Sequence, residues 1–476
     1  MQTPILGSSY VARSVNAADN RMVNLFPEIV ADGGKQPAFL QRAPGLRQLV
    51  QLPTGPVRGL WTFGDYAYAV SGARFYQIDS DWNYTDKGGV PGSNPVNMVD
   101  NGTQLFIADG PTGYIYNANT DVFAQITDPD FPGAVGVGFL DGYFVFNEPN
   151  SQKFWVTALY DGSSVEPLDF ASAEGSPDDL VTLIVDHREV WLFGQTSVEV
   201  WYNAGLPDFP LARIQGAFNE IGCQAAYSVA KLDNALFWLG KDARGNGIVY
   251  RSKGYTGERI STHAVEWQIQ QYSTLADAVA YTYQQDGHAF YVLNFPTANT
   301  TWVYDVSTGV WHERAGWEDN QFTRHLGQCQ MNYNNEIVIG DYVTGTLYAY
   351  DMNVYSEAGF VQKWLRSWRA LPTGQNDLRR TAQHSLQLDC ESGVGLAAGQ
   401  GSNPQVMLRW SDDGGHTWSN EHWKSMGQIG QYGKRVIWRR LGMTQKLRDR
   451  VYEISGTDPV KIAIMGAELI LSPTNA

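Results

Sequence analysis

Seven times along this chain two apolar, aromatic-rich stretches meet at a tight-turn dipeptide. The pairs are Gly64-Asp65, Asn101-Gly102, Asp141-Gly142, Asp186-His187, Asp233-Asn234, Asp286-Gly287 and Asn334-Asn335. Asn, Asp and Gly, which dominate them, accept the positive φ angles of hairpin turns whose twist matches the strands they join. The mean step is about 45 residues, the length of a four-stranded propeller blade. The third module shows the pattern: Val137-Gly138-Phe139-Leu140 before the turn and Tyr143-Phe144-Val145-Phe146 after it. Further β-prone stretches follow, such as Gly113-Tyr114-Ile115-Tyr116 in the second module, so each has three strands in meander order and room for a fourth. No module can bury both faces alone, whereas stacking around an axis buries them all. The fold class expected is all-β: a six- or seven-bladed β-propeller with an additional C-terminal β-rich, sandwich-like domain. Spacings that vary from 36 to 53 residues leave both blade numbers open.

Three segments are expected. Residues 1–50 are turn-rich, with Asn16, Asn20, Pro27, Pro37 and Pro44, and read as an N-terminal arm or ring-closing segment. Residues 51–353 hold the propeller. Residues 354–476 form a C-terminal β domain, in which Ser385 to Cys390 alternates like a strand and Met407-Leu408-Arg409-Trp410 opens a hairpin.

Charged residues are 17% of the 476, against about a quarter in an ordinary soluble protein. Few charges with 13% aromatics suit a large buried fraction or a permanent interface. A net charge of −15 argues against nucleic-acid binding by the chain as a whole, because phosphate neutralisation needs clustered Lys and Arg. Cys223, Cys329 and Cys390 are odd in number and widely spaced, which indicates neither a disulfide framework nor a thiolate metal site and fits a reducing compartment. Met1 to Ser14 has no basic region followed by an apolar core, so no signal peptide is read there. No apolar window has the length of a membrane span.

Two motifs stand out from the repeat. Ser411, Asp413, Gly415, Thr417 and Trp418 fit the Asp-box pattern S-x-D-x-G-x-T-W, in which the carboxylate caps turn amides and the tryptophan packs on the hairpin. Asp boxes recur in sialidases, so a sialidase-like glycosidase or depolymerase is one alternative function. A propeller adhesin binding host-surface glycans is another. Neither a His-Glu-x-x-His, a calcium loop, a phosphate loop nor a Gly-x-Ser-x-Gly occurs, and no catalytic, cofactor-binding or metal-binding residue is assigned. The second motif is a basic run: Lys424, Lys434, Arg435, Arg439, Arg440, Lys446, Arg448 and Arg450 face only Asp449. Against an acidic background this is a candidate electrostatic docking patch, centred on Lys434, Arg435, Arg439 and Arg440, for another subunit or an adaptor.

The chain ends carry a family resemblance. Gln431-Tyr432-Gly433-Lys434-Arg435-Val436-Ile437-Trp438-Arg439-Arg440-Leu441-Gly442, followed by Asp458-Pro459-Val460, resembles the C-terminus of the packaged-DNA stabilisation proteins. These are the tail hub or nozzle proteins of short-tailed double-stranded DNA bacteriophages. Arg13-Ser14-Val15-Asn16-Ala17-Ala18, Val23-Asn24-Leu25-Phe26-Pro27-Glu28 and Ala43-Pro44-Gly45-Leu46 resemble the start of the same family. The resemblance implies a non-enzymatic virion protein without cofactors: a homo-hexameric ring in the tail, below the portal and adaptor, assembled in the host bacterial cytoplasm. Such a ring extends the DNA channel, helps retain packaged DNA until ejection, and carries fibres or spikes and a plug. Six copies would hold a charge of about −90, and an acidic lumen would let double-stranded DNA slide without sequence-specific binding.

Overall fold

The computed structural model describes residues 1–15, 17–30, 33–372, 374, 380–445 and 449–474. It contains seven propeller blades. Val57–Phe63, Tyr66–Ser71, Arg74–Ile78 and Tyr84–Gly89 form blade 1 as an antiparallel meander. Blades 2, 3 and 4 repeat it over 97–125, 137–172 and 180–219. In blade 5 the inner strand is broken into Gly222–Cys223 and Ala230–Leu232, both paired with Ala235–Asp242. Blade 6 runs from Val279–Gln285 to Val310–Glu318. Blade 7 takes three strands from 327–351 and its outermost strand, Gly45–Gln51, from the other end of the chain. That pairing runs from Asp351 opposite Gly45 to Thr346 opposite Gln51 and joins the two ends of the ring by backbone hydrogen bonds.

Each of the seven dipeptides turns the first strand of its blade into the second. The backbone is left-handed there: φ is 50° at Asp141, 50° at Asp286, 51° at Asn334 and 60° at Asn335. Asn and Asp bear this region better than other residues with a Cβ, and Gly without penalty. Aromatics fill the wedges between blades. Phe106, Phe144, Phe146 and Trp155 pack between blades 2 and 3, and Trp191, Phe193, Trp238 and Tyr250 between blades 4 and 5. The three cysteines are free thiols, and burial pushes Cys223 up to about 11. Among the described residues no helix is long and apolar enough to cross a membrane.

The C-terminal residues form a β-sandwich with strands from the chain start in both sheets. One sheet orders Met22–Val23, Trp364–Arg369, Val451–Gly456, Gln405–Ser411 and His422–Ser425. The other orders Leu25–Ile29, Ala38–Arg42, Ala463–Pro473, Thr381–Cys390 and Val436–Arg439. Trp364, Trp368, Leu386, Leu408, Trp438 and Ile454 fill the space between them. The segment 1–50 is thus not one arm. Its last strand closes the ring, and Met22, Leu25 and Leu40 are buried in the sandwich core, the apolar partner those side chains require.

Propeller and sandwich share one sheet. Val23 pairs in parallel with Glu313 of blade 6 and antiparallel with Leu365 of the sandwich. Asn24, fully buried with φ 53°, secures the seam. Its amide donates to the carbonyls of Ala315 (2.7 Å) and Lys363 (2.8 Å), and its Oδ1 accepts from the Ala315 N–H (3.0 Å). Beside it Arg21 donates to both carboxylate oxygens of Glu313, at 3.1 and 2.7 Å. Asn24→Ala would strand three buried backbone groups on either side of the seam, a loss of roughly 2–4 kcal/mol. Chemical denaturation should show that loss together with a split of one transition into two, as sandwich and propeller melt apart.

Candidate docking surface and the Asp-box hairpin

The Asp box is the turn between Gln405–Ser411 and His422–Ser425. Ser411 Oγ donates to Asp413 Oδ1 (2.7 Å) and accepts from the Gly415 N–H (2.8 Å). Asp413 also accepts from the Thr417 N–H (2.8 Å) and Thr417 Oγ1 (2.6 Å). Gly415 has φ 105°, and a Cβ there would strike the Asp19 carboxylate. Trp418 lies half-buried under the Arg409 guanidinium, 4.7 Å from the ring centre. Every motif side chain is thus engaged in holding the hairpin. The bonds from Thr417 lower the Asp413 carboxyl to about 2. A depressed folded value contributes stability above the unfolded carboxylate range and loses it as pH falls towards the folded value. Asp413→Ala should therefore be less stable than the parent at neutral pH, with the gap narrowing between about pH 4 and about pH 2 on paired denaturation curves.

The basic run is divided by the fold. Lys424, Lys434, Arg435, Arg439 and Arg440 are exposed. Lys446 and Arg448 lie outside the described residues. Arg450 is a structural residue and not part of any patch: it is 2% exposed, donates to both oxygens of Asp412 (2.6 and 2.8 Å) and caps the Leu441 carbonyl (2.7 Å). Asp449 pairs with Arg369. Four of the exposed cations sit on or beside Val436–Arg439, the edge strand of its sheet. Val436 and Trp438 point into the core, while Arg435 and Arg439 point outward; Arg435 donates to Gln387 at 2.5 Å. The neighbouring edge strand of the other sheet supplies Trp423, 55% exposed, and Lys424. Between the two edges lies a cavity of about 190 Å³ lined by Trp410, His422, Trp423, Trp438, Arg439 and Arg440. Tyr432 adds an aromatic 75% exposed to the same end of the sandwich. Arginines and exposed aromatics, residue types enriched at protein interfaces, thus stand together at this edge.

A second surface was missed in the sequence. The turns that join first to second and third to fourth strands share one face of a propeller. Here that face displays Tyr66, Tyr84, Tyr160, Tyr202 and Tyr255, all exposed, from blades 1, 3, 4 and 5. Two of them directly follow a turn aspartate or glycine, in Gly64-Asp65-Tyr66 and Gly254-Tyr255, a signal available in the sequence. Hydrogen bonds lace neighbouring turns together: Arg188 Nη2 to Asp141 Oδ1 (2.8 Å), Asn203 Nδ2 to Asp141 Oδ2 (3.1 Å) and Asn334 Nδ2 to the Ser80 carbonyl (3.2 Å). An open polar depression of about 610 Å³ on the same face is lined by residues including Asp186, His187, Lys231 and Asn234. Among the described residues no group of His, Cys, Asp and Glu is placed to hold a metal ion.

Two family models match this chain in sequence order. The one described as Bacteriophage P22 Gp10, beta-propeller covers residues 1–355, and the one described as Bacteriophage P22 Gp10, beta-sandwich covers 364–471. The chain belongs to the phage P22 Gp10 family. The tail hub protein gp10 of Salmonella phage P22 is 21% identical over 448 residues, 89% of this chain and 90% of that one. A phage tail structural protein is therefore the class of this chain, and the virion tail its place. Among solved structures, a streptogramin B lyase is 11% identical with a TM-score of 0.43, covering 69% of this chain and 98% of its own. A chain of the mitotic checkpoint complex is 11% identical with a TM-score of 0.42, covering 68% and 98%. Likenesses this distant carry no weight for activity.

Proposed function

We propose that this tail hub protein forms a ring of six copies that continues the DNA channel below the portal and adaptor, helps hold packaged DNA and carries fibres or spikes. The observation that carries the reading is the match of both family models, in order, to a propeller and a sandwich that are locked together by one sheet. A wall element of a pressurised channel needs domains that do not swing, and a shared sheet with a buried Asn24 seam supplies that. The net charge of −15 per copy suits a lumen along which DNA slides rather than binds. The exposed cations Lys434, Arg435, Arg439 and Arg440 serve as the docking surface. The protein acts without catalysis and assembles in the host cytoplasm. The glycosidase alternative is disfavoured by an Asp box whose Ser, Asp and Thr are all spent on its own turn.

The test is genetic. Particles made without this chain should fill with DNA and then lose it, and purified protein added to freshly filled heads should restore retention. Heads that keep their genome without the chain would overturn the reading. The triple reversal Arg435→Glu, Arg439→Glu and Arg440→Glu should abolish that rescue while leaving the melting temperature within about 3 °C, since surface substitutions seldom shift stability by more than about 0.5 kcal/mol. Sugar release from host polysaccharide by the purified protein would instead favour the depolymerase.

A further inference from the structure

Two surfaces of this chain are chemically complementary, and neither is self-complementary. The turn face of the propeller is acidic and tyrosine-rich. Asp65, Asp81, Asp208 and Asp286 are exposed there, and their carboxylates have neither an ion-pair nor a hydrogen-bond partner among the described residues. They stand beside Tyr66, Tyr84 and Tyr202, with Leu159 and Leu206 exposed between them. The free edge of the sandwich is the reverse: Lys424, Lys434, Arg439 and Arg440 are unpaired among the described residues, around Trp423 and Tyr432. Tyr, Trp and Arg are the residues that carry binding energy at interfaces, and monomer surfaces seldom gather them in contiguous patches. Opposite charges at the rim steer encounter and set the register.

The geometry points to a head-to-tail contact in which the basic sandwich edge of one copy seats on the acidic turn face of a second copy of this chain. A contact between unlike patches is heterologous, and repeated around a closing rotation it generates a ring. This deepens the ring reading and rests on it: it names the two surfaces that meet and gives the tyrosine arc its occupant. It also assigns the cations of the Val436–Arg439 edge to a neighbouring hub subunit rather than to the adaptor.

The experiment uses full-length protein, half of it labelled with ¹⁵N, mixed at low ionic strength where surface charge is least screened. Carbodiimide joins a carboxylate to an amine only where the two touch. Links from Lys424 or Lys434 to Asp65, Asp81 or Asp208 should appear in peptide pairs of mixed isotope, and should fall at least fivefold in high salt. Two charge-swapped proteins complete the test: Lys434→Glu with Arg439→Glu and Arg440→Glu, and Asp65→Lys with Asp81→Lys and Asp208→Lys. Among the described residues none of these side chains makes a hydrogen bond or ion pair, so both should keep the parent melting temperature. Each alone should sediment as a monomer, and the mixture should recover association. Links confined to single-isotope pairs, or a mixture that associates no better than its components, would overturn the contact. Portal-bound rings lacking these links would also overturn it and leave the hub reading standing. Links between copies with no ring on the portal would uphold the contact and strike the hub reading instead.

Discussion

The architecture depends on a seam two residues wide. Met22–Val23 lies between the last full strand of blade 6 and the first strand of the sandwich, and it hydrogen-bonds to both. A strand that short contributes little by itself. Its hold comes from what surrounds it: Asn24 bridging carbonyls on either side, Arg21 forked onto Glu313, and Arg366 donating to the Ile5 carbonyl (2.6 Å). These groups are buried or half-buried, where an unmade hydrogen bond is expensive and a made one directional. Sequential folding of propeller and then sandwich is also constrained. The first 51 residues are needed by both, since Leu25–Ile29 and Ala38–Arg42 extend a sandwich sheet and Gly45–Gln51 completes blade 7.

The propeller was legible because its signal is local. A turn that demands positive φ restricts which residues can sit in it, and seven such dipeptides at blade spacing mark seven blades whatever surrounds them. Unequal connections blurred the number: the broken inner strand of blade 5 and the long third connection of blade 3 change the spacing without changing the count. The N-terminal strands were not legible in the same way. Ala38–Arg42 pairs with Ala463 and Ile464, more than 400 positions along the chain, and no local pattern announces such a partner. Pro27 and Pro37, which flank or interrupt those strands, made the region read as loop.

The candidate surface divides along the same line. The five exposed cations were visible as a run of one sign, and the chain ends carried the family. Which members of the run face outward was not visible, because burial of Arg450 is decided by Asp412, brought to it across the sheet. The acidic tyrosine arc was hidden for a different reason. The five tyrosines are spread over four blades, from residue 66 to residue 255, and only ring closure gathers them on one face. A propeller and a rigidly attached sandwich that carry unlike patches suit the proposed ring built from one kind of subunit.

Electron microscopy of the purified protein mixed with the portal–adaptor complex of its phage tests the central claim most directly. Class averages should show a closed ring with a central hole, coaxial with the portal, in which each subunit shows propeller and sandwich in one fixed relation. Portal complexes left bare, or decorated by single subunits with no ring and no common axis, would contradict it.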